Sequence, residues 1–384
     1  MVQSVGMMAL ARVGKHCRSL VSSKGLLCGG VQPSWIESGV GAKRYLLSDD
    51  VIKLQNFQQR KLAVPYLLSG SKENFFELFS QKLQGKELIM RDELKLLLHL
   101  CQSADDVAIA RNAIYRYHQE NQNFAFGEFR FGPLFVRLCY ELGLEDLAAA
   151  TLTDESMRGF FNDATSFNIT MDMLFMKGSY EDALKVLGTM RSQKIQFNKD
   201  TMTLACGTCY KLNTPESYKI CTALIEEAQT KGHFIPRHAY CFAVALALRQ
   251  NDIKRAQSLY SQIMSPDSRL CQNLRVLILA KSGAVTDAIS ILSSTRSPNS
   301  PSFVKKPQFS QEVVDVLCLQ SEGQPHMKKV EHIVTQLKRA DQVIKQTLDD
   351  MLCQTPTGKR KPIMEERRTS RRTLKPLHST LLSE

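Results

Sequence analysis

Residues 164–198 read ATSFNITMDMLFMKGSYEDALKVLGTMRSQKIQFN. The first half places Phe167, Met171, Leu174 and Phe175 at helical spacing. Gly178 then stands where a helix ends in a left-handed residue, since only a residue without Cβ adopts that backbone freely. The second half restarts with Glu181 and Asp182 in a first turn, where the positive helix end favours acids, and carries Ala183, Leu187 and Met190 on one stripe. Two helices joined by a tight turn follow: an antiparallel hairpin.

The same frame recurs outward from this segment. Units begin near Arg91, Phe129, Ala164, Lys199, Arg237 and Arg269, at intervals of 38, 35, 35, 38 and 32 residues. The fifteenth residues are Asp105, Gly143, Gly178, Asn213, Asn251 and Gly283, all turn formers. The twentieth are Ala110, Ala148, Ala183, Tyr218, Ala256 and Ala288. A methyl group at that place lets the second helix cross closely over the first. One hairpin cannot bury its apolar faces alone, so the units are expected to stack into a continuous core with a concave surface. The prediction is an all-α chain: an α-solenoid of about six degenerate hairpins over residues 91–292. A helix near Lys72–Gln84 within an otherwise irregular 46–90 forms its N-terminal cap. A Ser/Pro-rich linker spans 293–308, and further helices lie at about 309–320 and 326–353. Residues 354–384 form a basic tail without an apolar stripe.

The period fits two families of helical repeat, and residue identities choose between them. None of the six units holds the Trp that the tetratricopeptide type expects; Trp35 is the only one in the chain. Thr165-Ser166-Phe167-Asn168, with Lys177-Gly178 and Glu181-Asp182-Ala183-Leu184, instead resembles the pentatricopeptide repeat. Wording across residues 44–384 resembles vertebrate mitochondrial members of that family: YRYHQENQNF, FGPLFVRLCYEL, SFNITMDMLF, CYKLNTPESYKICT and SRRTLKPL. The resemblance implies a right-handed solenoid that binds single-stranded mitochondrial RNA, assists mRNA maturation and so supports the respiratory chain. A related reading is a constituent or accessory of the small mitochondrial ribosomal subunit, with RNA-processing proteins as partners.

In that family each unit reads a base through polar residues at its fifth and last positions. Unpaired bases expose the edges such side chains need. The fifth residues here are Lys95, Pro133, Asn168, Thr203, Cys241 and Asn273. By resemblance Asn168 with Asn198 favours a pyrimidine, and Thr203 and Asn273 have suitable chemistry. Pro133 offers no side-chain hydrogen bond and Cys241 a poor one, so a long sequence is not read this way. For Asn168 the competing reading is a helix-start residue bonded to local backbone.

Charge is concentrated at the ends of the chain. Of the net +12, residues 1–44 carry six Lys/Arg against Glu37, and residues 357–384 carry eight against three acids. The middle keeps only +2. Within 1–44, Met8, Leu10, Val13, Cys17 and Leu20 share one face of a helix while Arg12, Lys15 and Arg18 lie off it, the pattern of a matrix-import leader. Lys43-Arg44 marks a processing point, and residues 1–45 are read as the leader; a basic tail without an import role is the alternative. In the C-terminal tail, Arg367, Arg368, Arg371 and Arg372 suit phosphate contact with salt-dependent affinity, or contact with an acidic protein surface.

Eleven scattered cysteines form no disulfide framework and suit a reducing compartment. The longest apolar run, Cys241–Leu248, is far short of the eighteen or so residues of a membrane span. Cys206-Gly-Thr-Cys209 lacks the second ligand pair that zinc needs and reads as two small apolar residues in a helix. His326 and His332 sit off one helical face. No clustered carboxylates, Walker loop or G-x-S-x-G is present. The expectation is a non-enzymatic module without cofactor.

Overall fold

The computed structural model describes residues 45–64, 72–121, 129–295 and 307–355. The leader, apart from Tyr45, and the arginines of the tail therefore lie outside the described residues. Helix α1 (Asp49–Ile52), α2 (Leu54–Ala63) and α3 (Lys72–Gln84) come first. Six hairpins follow: α4 (Arg91–Leu100) with α5 (Ala104–Asn121), α6 (Gly132–Leu142) with α7 (Glu145–Thr153), and α8 (Ala164–Lys177) with α9 (Tyr180–Ser192). Then come α10 (Lys199–Leu212) with α11 (Pro215–Thr230), α12 (Arg237–Arg249) with α13 (Ile253–Ser261), and α14 (Arg269–Lys281) with α15 (Val285–Ser294).

Five of the six predicted starts are the first residues of helices. The turns behave as their residues require. Gly143, Gly178, Asn213, Asn251 and Gly283 all have positive φ, between 50° and 89°. Gly178 ends α8 with its own N–H and that of Ser179 donated to the Leu174 carbonyl. All five phased alanines are at most 1% exposed. Tyr218, the exception, keeps its ring at the margin and donates to Asp252 Oδ2 at 2.8 Å.

Two units depart from the frame for local reasons. In the first, α4 stops at Leu100, and Asp106 and Ser103 cap α5 reciprocally, so Asp105 lies inside a helix rather than at a turn. In the second, α6 starts at Gly132, not Phe129, because Pro133 sits at the first turn, where its missing N–H costs nothing.

The stack is longer than expected. Helices α16 (Gln311–Ser321) and α17 (Met327–Arg339) form a seventh hairpin, with α16 on α14 and α17 on α15. The pattern expected to run to residue 353 breaks after Arg339. Val343-Ile344 instead pair in parallel with Phe309-Ser310, and a short α18 (Leu348–Leu352) follows. The stretch expected to be irregular also holds α1 and α2. First helices pack on one another in series from α4 to α16, forming an inner row, and second helices flank it. The architecture is an α-solenoid of stacked hairpins.

Candidate nucleic-acid interface

The inner row is buried to a degree that a single packing face does not explain. Every residue from Ser166 to Phe175 in α8, from Leu204 to Tyr210 in α10 and from Cys241 to Leu248 in α12 is buried. A helix apolar all round needs cover on both sides. Neighbouring helices supply one cover, and the two ends of the described chain supply the other. Asp172 Oδ1 on α8 accepts the N–H groups of Leu46 and Leu47, at 2.8 and 3.3 Å. A Cβ built on Gly207 of α10 would stand 2.8 Å from Leu46 Cδ1, so the glycine makes room for that leucine. Arg137 Nε of α6 donates to the Ile52 carbonyl at 2.6 Å. From the other end, Asp349 of α18 meets Lys211 at 2.6 Å and Arg249 at 3.7 Å. His238 donates to the Leu352 carbonyl at 2.6 Å.

This arrangement fixes where the expected base-reading residues stand. Asn168 and Asn198 do meet, but as each other's partners: Asn168 Nδ2 donates to Asn198 Oδ1 at 3.0 Å, and Thr201 Oγ1 donates to Asn168 Oδ1 at 2.8 Å. Asn168 is fully buried, and Asn198, exposed, caps α10 through the N–H groups of Asp200 and Thr201. Thr203, half-buried, donates to the Lys199 carbonyl. Asn273 is fully buried, donating to the Arg269 and Gln308 carbonyls and accepting the Ser310 N–H at 2.7 Å. The two buried asparagines join successive units, and a base reaches them only by replacing those bonds.

A more open surface lies along the edge where the first helices begin. The leading residues of α4, α10, α12 and α14 are Arg91, Lys199, Arg237 and Arg269, each at a positive helix end. Between α12 and α14 a cavity of about 320 Å³ is lined by Arg237, His238, Cys241, Ser268, Arg269, Gln354 and Thr355. Among the described residues neither arginine is paired with a carboxylate. Arg237 donates to the Ser265 carbonyl, and Arg269 to the side-chain carbonyls of Gln308 and Gln346. Burial pushes the His238 imidazole below its ordinary pKa, so it is neutral at pH 7. The basic tail follows Thr355 in the sequence. Sequence reasoning passed over these arginines, although the phased frame already held the signal: a basic first residue in four of six units.

The CxxC cysteines, Cys206 and Cys209, are buried with Cys221 between their thiols. Among the described residues no three His, Cys, Asp or Glu side chains gather as a metal site, and no helix is long and apolar enough to cross a membrane.

The family model for mitochondrial 28S ribosomal protein S27 matches residues 27–354. The chain belongs to the mitochondrial 28S ribosomal protein S27 family. Similar relatives of this S27-family chain are named "pentatricopeptide repeat-containing protein 2, mitochondrial". The one from Danio rerio is 53% identical, over 93% of this chain and 94% of its own length. Those from Homo sapiens (49%; 90% of each) and Xenopus laevis (48%; 89% and 91%) follow. Among solved structures, the maize pentatricopeptide repeat protein PPR10 is similar at 18% identity and a TM-score of 0.36, over 70% of this chain and 37% of that one. PPR10 in complex with an 18-nt psaJ RNA element is similar at 13% and 0.36, over 78% and 47%. This S27-family chain is a mitochondrial pentatricopeptide-type helical-repeat protein.

Proposed function

We propose that the protein is a non-enzymatic RNA-binding module of the mitochondrial matrix that assists maturation of mitochondrial mRNA and thereby supports the respiratory chain. The observation that carries this reading is the basic edge. Arg237 and Arg269 flank an open cavity that Gln354 and Thr355 also line, and the arginine-rich tail follows these two residues in the sequence. Guanidinium groups without carboxylate partners suit phosphate oxygens, which they bind as a fork. Binding then rests on the RNA backbone, through Arg237, Arg269 and tail residues Arg367, Arg368, Arg371 and Arg372. Asn198 and Thr203 belong to the start of α10, and on this reading they contact the nucleotide beside their present capping and backbone bonds. Asn168 and Asn273 contribute only where RNA displaces their present partners.

The test is affinity for single-stranded RNA against salt concentration. Replacing the four tail arginines by alanine is expected to make the log–log slope shallower by about 3, at roughly 0.7 per phosphate contact. An unchanged slope, or no binding by the intact chain, defeats the reading. A second reading is a protein-binding scaffold on the small mitochondrial ribosomal subunit, favoured by the family match over residues 27–354. Cross-linking in mitochondria separates the two: RNA joined to the tail and basic edge supports the first, and ribosomal proteins alone the second.

A further inference from the structure

We propose that Asp172 is the binding site for the α-ammonium group that processing creates at Leu46. Asp172 lies in the middle of α8, fully buried, within the apolar run Met171–Phe175. One carboxylate oxygen accepts two neutral N–H groups, from Leu46 and Leu47. The other, Oδ2, is buried without any hydrogen-bond partner among the described residues. A buried carboxylate held only by amides is costly, and its natural complement is a compact cation with several donors. The carboxyl pKa is driven up to about 7 by burial, which the two N–H groups offset only in part. Among the described residues, the titratable groups that Asp172 acts on, Tyr45 and Tyr140, and Asp49 beside them bring no positive charge.

The atom best placed to become that cation is the nitrogen of Leu46, already 2.8 Å from Oδ1. Lys43-Arg44 stands just before it in a segment with the composition of an import leader. Hydrolysis of the Tyr45–Leu46 bond by a matrix endoprotease adds the hydroxyl of water to the Tyr45 carbonyl carbon. The Leu46 nitrogen leaves with the protons that make it an ammonium. With three donors it spans both oxygens of Asp172, satisfying Oδ2 and neutralising the carboxylate. The seat is shaped for this residue: Leu46 and Leu47 are 3% and 2% exposed, and Gly207 admits the Leu46 side chain. Since the bond is buried once Leu46 is seated, the cut precedes docking. Removal of the leader thus completes a core ion pair at a carboxylate that has no cationic partner among the described residues. The proposal rests on the leader reading and is independent of RNA binding.

Two measurements on the natural protein test it. N-terminal sequencing of the protein isolated from mitochondria is expected to begin at Leu46; an uncut chain or any other start overturns the proposal. The pH profile of acylation of the mature α-amine then separates pairing from mere enclosure. A carboxylate partner raises the amine pKa above the ordinary value of about 7.7–8.0, and burial alone lowers it. Acylation at neutral pH about tenfold slower than in the urea-unfolded chain, with the apparent pKa raised by about one unit, is expected. An apparent pKa at or below the ordinary value overturns the pairing. In Asp172→Asn, where it folds, the pKa elevation is expected to vanish; its persistence also counts against Asp172.

Discussion

The inner and outer rows are built from the same hairpins and obey different rules. In α9 a single stripe, Ala183, Val186, Leu187 and Met190, is buried, and the opposite face carries Glu181, Lys185 and Arg191. In α12 there is no such polarity: eight consecutive residues, Cys241–Leu248, are enclosed. Outer helices need a neighbour on one side only. Inner helices have a second neighbour, which residues 46–52 and 348–352 supply. A face that the family resemblance assigns to a ligand is here an interior, and its polar side chains hold units together.

Substitutions that weigh the two rows sharpen this contrast. Phe242→Ala on α12, buried against Tyr210 with ring centroids 5.6 Å apart, is expected to cost about 3–5 kcal/mol in chemical denaturation. Leu184→Ala on α9, half-buried, is expected to cost about 1–2 kcal/mol. Equal losses would erase the distinction between rows. At the crossing of the rows, Ala256→Leu forces a larger side chain between α12 and α13 and is expected to cost about 1–3 kcal/mol. At the turn between rows, Gly178→Ala puts a Cβ on a residue with φ of 89°, for about 1–2 kcal/mol in thermal unfolding. The smallest effect lies between the inner row and α18. Lys211→Ala removes the half-exposed contact to Asp349 and is expected to cost less than about 1 kcal/mol. Faster hydrogen exchange confined to residues 348–352 would mark its local role; exchange spread along α10 would break the assignment.

What the sequence made legible is what repeats. Arg91, Ala164, Lys199, Arg237 and Arg269 open helices as expected because each unit must restart its amphipathic pattern after a turn. Lys72–Gln84 was equally plain from its phenylalanine stripe. The seventh hairpin escaped the frame because the Ser/Pro-rich stretch before it interrupts the phase. Helices α1 and α2 are short, and α1 has a single buried residue, Ile52, so periodicity has little to grip. The cover over the inner row was invisible for another reason: it joins residues such as Leu46 and Asp172, 126 positions apart, and spacing carries no signal over that distance. One clue was present. An aspartate inside MDMLF, the apolar half of its helix, asks for a partner that the local sequence does not contain.

The seating of Leu46 on Asp172 imposes an order in time. On this proposal Leu46 is seated only after the leader is cut, and the residues that receive it, Asp172 and Gly207, lie well over a hundred positions along the chain. Hairpins close within themselves first, through contacts only tens of residues apart. The end segments then arrive as late, long-range closures, the slow class of folding event. Their docking turns a row of neighbours into a unit that opens from neither end first.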